Sequence, residues 1–304
     1  MKKRALLLLI AVSFIMANVH PEISYAKHPA DEIMEFYVMT PEDINPYTVS
    51  ILALNEVAHD RNLDKVKNFI VWYFENLNYP DRYGLTGTIY DFVHKDGKRQ
   101  PTGTYDSVDG YAGMFLHLLH QYLLKTGDVK LIKANWNKIE DIVYLLSHLQ
   151  DEDGLTRALT TTQEKYLMDN CEAYGGVTAY LAISSFLDKG NQKYYKEVQS
   201  TIKTGIITHL YQPKKRIFAW ATEKGYKSTS RWDVFYPDAY AQLFPLYFNV
   251  LSEQPELKKH LWQTFEQKYG HQKHKFPIEQ RIIYELTKAK MQMELAEPIE
   301  NTNY

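Results

Sequence analysis

The 304 residues are 45% hydrophobic and 14% aromatic, enough apolar content for one sizeable core. The 35 basic and 37 acidic side chains nearly cancel, which leaves no electrostatic footprint for nucleic acid. The single cysteine, Cys171, excludes an internal disulfide and reads as a small buried side chain rather than a catalytic thiol.

At the N-terminus, Lys2-Lys3-Arg4 precede an apolar run, Ala5 to Ala17, that is short for a membrane span. Ser24-Tyr25-Ala26 then offers small residues for cleavage. Residues 1–26 are therefore expected to be a signal peptide removed after Ala26, with an uncleaved anchor as the alternative. The mature product is expected to be a secreted monomer with no lasting membrane insertion. Its single domain covers 27–296, and 297–304 form a flexible polar tail.

Lys27 to Ile44 reads as an arm with one short helix. Pro46 to Asp60 carries Val49, Leu52, Leu54 and Val57 in a helical pattern. Asn62 is placed to cap a second helix through Phe69, Trp72 and Tyr73, which Pro80 stops. The period then changes. Thr86 to Val93 with the turn Lys95-Asp96-Gly97-Lys98 reads as a β-hairpin. A strongly apolar helix follows from Ser107 to Lys125, with an antiparallel partner from Val129 to Leu149. The acidic loop Gln150 to Thr156 lacks the alternating ligands and final glutamate of a calcium loop, and reads as a solvated turn.

Helices from Cys171 to Leu187 and from Lys193 to Tyr211 come next. A second hairpin runs from Arg216 to Thr222, turns at Lys224-Gly225 and returns through Ser228 to Trp232. A helix opened by Asp238 reaches Leu251, and helices at Glu256–Tyr269 and Ile278–Leu295 complete the chain. The expected fold is all-α: a toroid of antiparallel helical hairpins, inner helices facing a funnel, with two short inserted β-hairpins.

One pattern recurs along this order. Asp109-Gly110-Tyr111-Ala112-Gly113 is echoed by Glu172-Ala173-Tyr174-Gly175-Gly176 and by Asp238-Ala239-Tyr240-Ala241-Gln242. Each copy is a carboxylate, a small residue, a tyrosine and another small residue before an apolar run. An interval of about sixty-five residues is the length of a helical hairpin with its loops, so the copies are expected to deliver their carboxylates to one rim. Asp and Ser are also ordinary helix caps, and a repeat regenerates caps without any chemistry.

Tyr105-Asp106-Ser107 before the first copy, Asp169-Asn170 before the second, and Trp232 with Tyr236-Pro237 before the third extend the pattern. In that order and spacing the motifs resemble the six-hairpin glycosidase superfamily of (α/α)6 toroids, and distantly the family 8 glycoside hydrolases. The resemblance covers Gly103 to Leu251, about half the chain. It implies that Asp106, Asp109, Asp169, Glu172 and Asp238 supply the acid, base or water-positioning groups. This sequence departs from family 8 in lacking the upstream Ser-Glu-Gly motif of the general acid; Glu56 is the nearest acid there.

Glycosidic cleavage needs one protonated carboxyl and one ionised carboxylate. Asp109 and Asp238 open helices, where free N–H groups favour the anion, so both suit the base role. Asp106, Asp169 and Glu172 are candidates for the proton donor, which needs burial or a neighbouring carboxylate. The chain holds 24 Tyr and 5 Trp, and aromatic faces bind sugars by stacking. Tyr105, Tyr111, Tyr174, Trp220, Trp232, Tyr236 and Gln242 are the expected substrate contacts. No cofactor or metal is expected, and a nucleotide-dependent enzyme is disfavoured because no glycine-rich phosphate loop follows a strand. His117 and His120 lie along one apolar helix and read as packing residues. The expected activity is hydrolysis of a polysaccharide. A glycan-binding or scaffold protein with inactive acids is the alternative from another class, and a polysaccharide lyase is a third reading.

Overall fold

The computed structural model describes residues 28–37 and 43–296, so the expected signal peptide and tail lie outside the described residues. The arm carries α1 (Pro29–Glu35), and Asp43–Ile44 forms the short strand β1. Asn45 accepts the Thr48 N–H at 3.0 Å and Pro46 occupies the first turn, so α2 (Pro46–Ala58) starts where capping chemistry dictates. Its residues from Val49 to Val57 are buried all round, which marks an inner helix. The outer helix α3 (Leu63–Glu75) buries one face only. Asn62 does not cap it. Its side chain donates instead to Glu56 Oε2 at 2.7 Å, because Glu56 is buried and gathers Tyr37, Arg61 and Asn62 around itself.

Strands β2 (Phe92–Lys95) and β3 (Lys98–Pro101) form the first hairpin, and β1 pairs on its outer edge. Asp96 and Gly97 both have positive φ, the tight turn that an Asp-Gly pair favours. The inner helix α4 (Val108–Thr126) ends at Gly127, whose φ of +67° suits glycine. Its outer partners are α5 (Val129–Ala134) and α6 (Trp136–His148). The acidic loop is a turn, but not the solvated one expected: Gly154, Leu155 and Thr156 are buried, and the Lys165 ammonium lies 2.8 Å from carboxylate oxygens of both Asp151 and Asp153.

After β4 (Glu164–Tyr166), the inner helix α7 (Leu167–Leu187) begins four residues before the expected start, and α8 (Gln192–Gly205) backs it. The second hairpin region divides. Strands β5 (Tyr211–Gln212) and β6 (Ile217–Phe218) pair together, while β7 (Ala221–Glu223) pairs with β4 and β8 (Tyr226–Ser228). The chain changes partner at Ala219 and Trp220, whose N–H groups go to Leu210 and Ser228. The expected continuous helix from Asp238 is broken into irregular helical turns over 235–242 and the short α9 (Leu243–Tyr247). Pro237 and Pro245 supply no N–H to an α-helical ladder, which accounts for the interruption. Helices α10 (Pro255–Tyr269) and α11 (Ile278–Ala296) complete the chain.

Helices α2, α4, α7, α9 and α11 pack in that order, and α11 returns against α2 to close the inner ring. The all-α toroid expected from the sequence is therefore present, with an inner ring of five helices among the described residues. Its tightest seam lies between α4 and α7. A Cβ on Gly113 would stand 2.4 Å from the backbone carbonyl of Glu172, and one on Gly176 would stand 2.6 Å from Gly113 Cα. Side chains elsewhere keep helices 8–10 Å apart; here backbone meets backbone. Because backbone cannot yield as a flexible side chain does, Gly113→Ala is expected to cost at least the ~1–3 kcal/mol typical of overpacking. Urea denaturation checks this, and an unchanged midpoint would mean the two helices do not touch there.

Candidate active site

The seam sets the starts of α4 and α7 side by side at one end of the ring. There the inner-ring segments surround a cavity of about 220 Å³. Asn45 and Tyr47 reach it from the start of α2, Asp106 from the residue before the α4 cap, and Met168 and Asp169 from the first turn of α7. Tyr236 and Tyr240 come from the broken turns, and Glu279 and Gln280 from the first turn of α11. Helix N-termini carry uncompensated N–H groups, so acidic side chains are favoured at such a mouth.

Behind the wall, Asp109, Asp169 and Glu172 form one carboxyl cluster. Starting α7 at Leu167 places Asp169 and Glu172 three residues apart on one helical face. Gly110 leaves room for the cluster: a Cβ there would lie 3.0 Å from Glu172 Oε2 and 3.5 Å from Asp169 Cγ. Asp109 is 0% exposed. It accepts the Thr156 hydroxyl at 2.6 Å and the Gly110 N–H at 3.0 Å, and it shares a hydrogen bond with Asp169. Asn170 holds Thr156 in place by accepting its N–H at 2.8 Å and donating to its carbonyl at 3.1 Å. Glu172 is also 0% exposed and accepts the Tyr47 hydroxyl at 2.6 Å on Oε1, while Oε2 has no partner.

Burial governs the acidity of all three. It raises Asp109 to about 6 against the lowering effect of its hydrogen bonds, so the low-pKa anion expected from a helix N-terminus is not what the site holds. Burial raises Glu172 to about 8, with the Asp109 charge adding to it. Asp169 is pushed well above the carboxylate range by burial and then by Asp109, Glu172 and Asp106. Desolvation of a carboxylate costs several kcal/mol, whereas a helix terminus returns roughly 0.3–1 kcal/mol, so the sign follows. Of the three, Asp169 alone reaches the cavity wall.

A tyrosine network supports the rim. Tyr111 donates to Asp91 at 2.8 Å, accepts from Asn45 at 2.6 Å and stacks with Tyr47 at 5.8 Å between ring centres. Burial raises Asp91 to about 6, with Asp106 and Asp43 adding to it. Tyr236 is 55% exposed at the mouth, an open face for a ligand.

Other sequence candidates lie elsewhere. Asp238 is buried and accepts the Arg231 N–H at 2.8 Å, closing the turn before the broken segment rather than joining the carboxyl cluster. Gln242 clasps both the N–H and the carbonyl of Phe218. Tyr105 donates to Asp81 at 2.7 Å and stacks on Tyr90. Tyr174 packs against the core, Trp220 stacks on Tyr166, and Trp232 packs on the core with its carbonyl accepting from Tyr269. Asn45, Tyr47, Asp91, Thr156, Tyr240 and Glu279 were not singled out from the sequence. Two of them carry a signal: Tyr240 is the tyrosine of the third motif copy, and Glu279 is an acid just after Pro277 at a helix start. Among the described residues, no group of three or more His, Cys, Asp and Glu has a metal-holding arrangement.

Solved structures share this architecture. A rhamnosidase from Klebsiella oxytoca with rhamnose bound superposes with a TM-score of 0.58 at 11% identity, over 90% of this chain and 53% of its own. The fold is that of the six-hairpin glycosidases. A family 76 α-mannanase from Bacteroides thetaiotaomicron gives 0.52 at 10% identity, over 79% of this chain and 70% of its own. A cellobiose 2-epimerase from Bacillus thermoamylovorans gives 0.51 at 11%, over 74% and 60% respectively. The chain thus spans little more than half of the rhamnosidase it matches. No family model matches the sequence, and no curated protein does.

The raised acidity constant of Glu172 has a consequence for stability. A carboxyl whose folded value lies above its unfolded value stabilises fully below the unfolded value and loses that contribution as pH climbs through the folded one. For Glu172 the window runs from 4.5 to about 8. Glu172→Gln, which keeps the shape and removes the proton, is expected to flatten the fall in melting temperature across that window. An unchanged slope would mean that Glu172 is not the buried proton-holding group.

Proposed function

We propose that this chain is an exported glycoside hydrolase acting on a polysaccharide. The observation that carries the reading is the carboxyl cluster, one member of which, Asp169, reaches the wall of an open cavity and is disposed to keep its proton by burial and its acidic neighbours. In this reading Asp169 donates its proton to the leaving glycosidic oxygen, and Asp106, exposed on the same rim, is the second carboxyl, which activates water or attacks carbon. Asp109 and Glu172 do not reach the cavity wall; they are positioning residues that keep the proton on Asp169. Tyr236 supplies a stacking face and Tyr47 a hydroxyl. The shared fold with enzymes of sugar chemistry supports the reading without deciding the substrate.

A lyase chemistry fits the wall less well. Tyr47 and Tyr240 are held well above the ordinary phenol range, by burial first and Glu172 next, so neither supplies the phenolate a lyase would use.

Reducing-sugar release across a panel of polysaccharides tests the activity. On whichever substrate is cleaved, Asp169→Asn is expected to lower turnover about 10²–10⁴-fold with the fold intact. Asp238→Asn is expected to retain most of it. The reverse ranking would move the chemistry to Asp238, and release by no substrate would leave a binding protein. Export is tested separately by mass spectrometry of the secreted fraction, with a mature chain expected to begin at Lys27. Recovery of only the intact chain in membranes would overturn it.

A further inference from the structure

Hydrolysis requires two carboxyls, and the cavity presents a third, Glu279, from the opposite side of the ring. Asp106 and Glu279 make no ion pair with a basic side chain among the described residues, and no lysine, arginine or histidine lines the cavity. Gln280 lines the same wall, and its Oε1 has no hydrogen-bond partner. Tyr47, Tyr111, Tyr236 and Tyr240 surround this acidic space with aromatic rings. Acidic charge, an unpartnered acceptor and ring faces share one complement: a cationic group rich in N–H donors. A uronate would meet like charge here, and an uncharged glycan would offer Glu279 hydroxyl donors but no opposite charge.

We infer that the cavity takes a glycan carrying free amino groups, an amino sugar whose ammonium is held between Glu279 and Gln280. This rests on the hydrolase reading above for its placement next to Asp169, and it adds the substrate class. Glu279 is then a specificity-determining residue: it binds the ammonium and leaves the leaving-group proton to Asp169.

The test uses the full mature chain and two matched probe pairs, glucosamine and galactosamine oligosaccharides with their N-acetylated forms. Titration calorimetry at about pH 6, where the amines are protonated, reads affinity. The free-amine forms are expected to bind at least about 10-fold more tightly than the acetylated forms. Raising salt from ~50 to ~500 mM is expected to shrink that ratio. Glu279→Gln is expected to abolish that ratio, chiefly by weakening binding of the free-amine forms. Should the variant fold poorly, the salt response of the unaltered protein still decides. Equal or tighter binding of acetylated or uronate-containing oligosaccharides overturns the inference, as does failure of both amine forms to bind. Cleavage of glycans without amine preference would remove the substrate class and keep the hydrolase. Amine-selective binding without cleavage would keep the class and remove the hydrolase.

Discussion

Gly113 and Gly176 let α4 and α7 meet backbone to backbone, and the site exists because of that contact. Any side chain at the crossing would push the two helices apart, and the carboxyls on their first turns with them. Asp109 and Asp169 share a hydrogen bond only while the seam is closed. Gly110, one turn above, performs the same service for Glu172. The glycines cost conformational entropy in the unfolded chain, roughly 0.5–1 kcal/mol each against alanine in a helix. That cost is offset by two long inner helices buried along most of their length.

Burying three carboxyls together would be prohibitive if all were charged. The cluster avoids this by keeping protons, and a group that keeps its proton at neutral pH is what a donor to a leaving oxygen requires. The same desolvation therefore threatens stability and prepares chemistry. The Thr156 hydroxyl, held in place by Asn170, and the Gly110 N–H moderate it by giving Asp109 hydrogen bonds that favour its anion, which leaves Asp169 as the proton-holding partner toward the cavity.

Helix periodicity, Asp-Gly and Lys-Gly turns and the repeated carboxylate–small–Tyr motif made the hairpin toroid legible in the sequence. The same repeat brought Asp109, Asp169 and Glu172 into view, because their spacing follows the hairpin length. It misled at the third copy, where Pro237 and Pro245 break the helix and turn Asp238 toward Arg231. Trp220 and Trp232 looked like sugar platforms for standing near the motifs, but nearness in sequence does not say which face of a short strand or turn they occupy. Glu279 and Tyr47 open inner helices without the repeated motif, and only closure of the ring brings them to the cavity. The acidity of Asp109 depended on burial, and one sequence does not count the atoms packed around a side chain.

Cys171 lies on α7 beside Glu172, 0% exposed and with its thiol pushed well above the usual range by burial and the adjacent acids. No reagent reaches it while α7 is seated. Its modification rate under native conditions is therefore a built-in clock for the opening of that helix. A ligand that fills the cavity and binds only the closed ring would slow the clock in proportion to its occupancy. The chain carries a single thiol, so every count recorded comes from the seam itself.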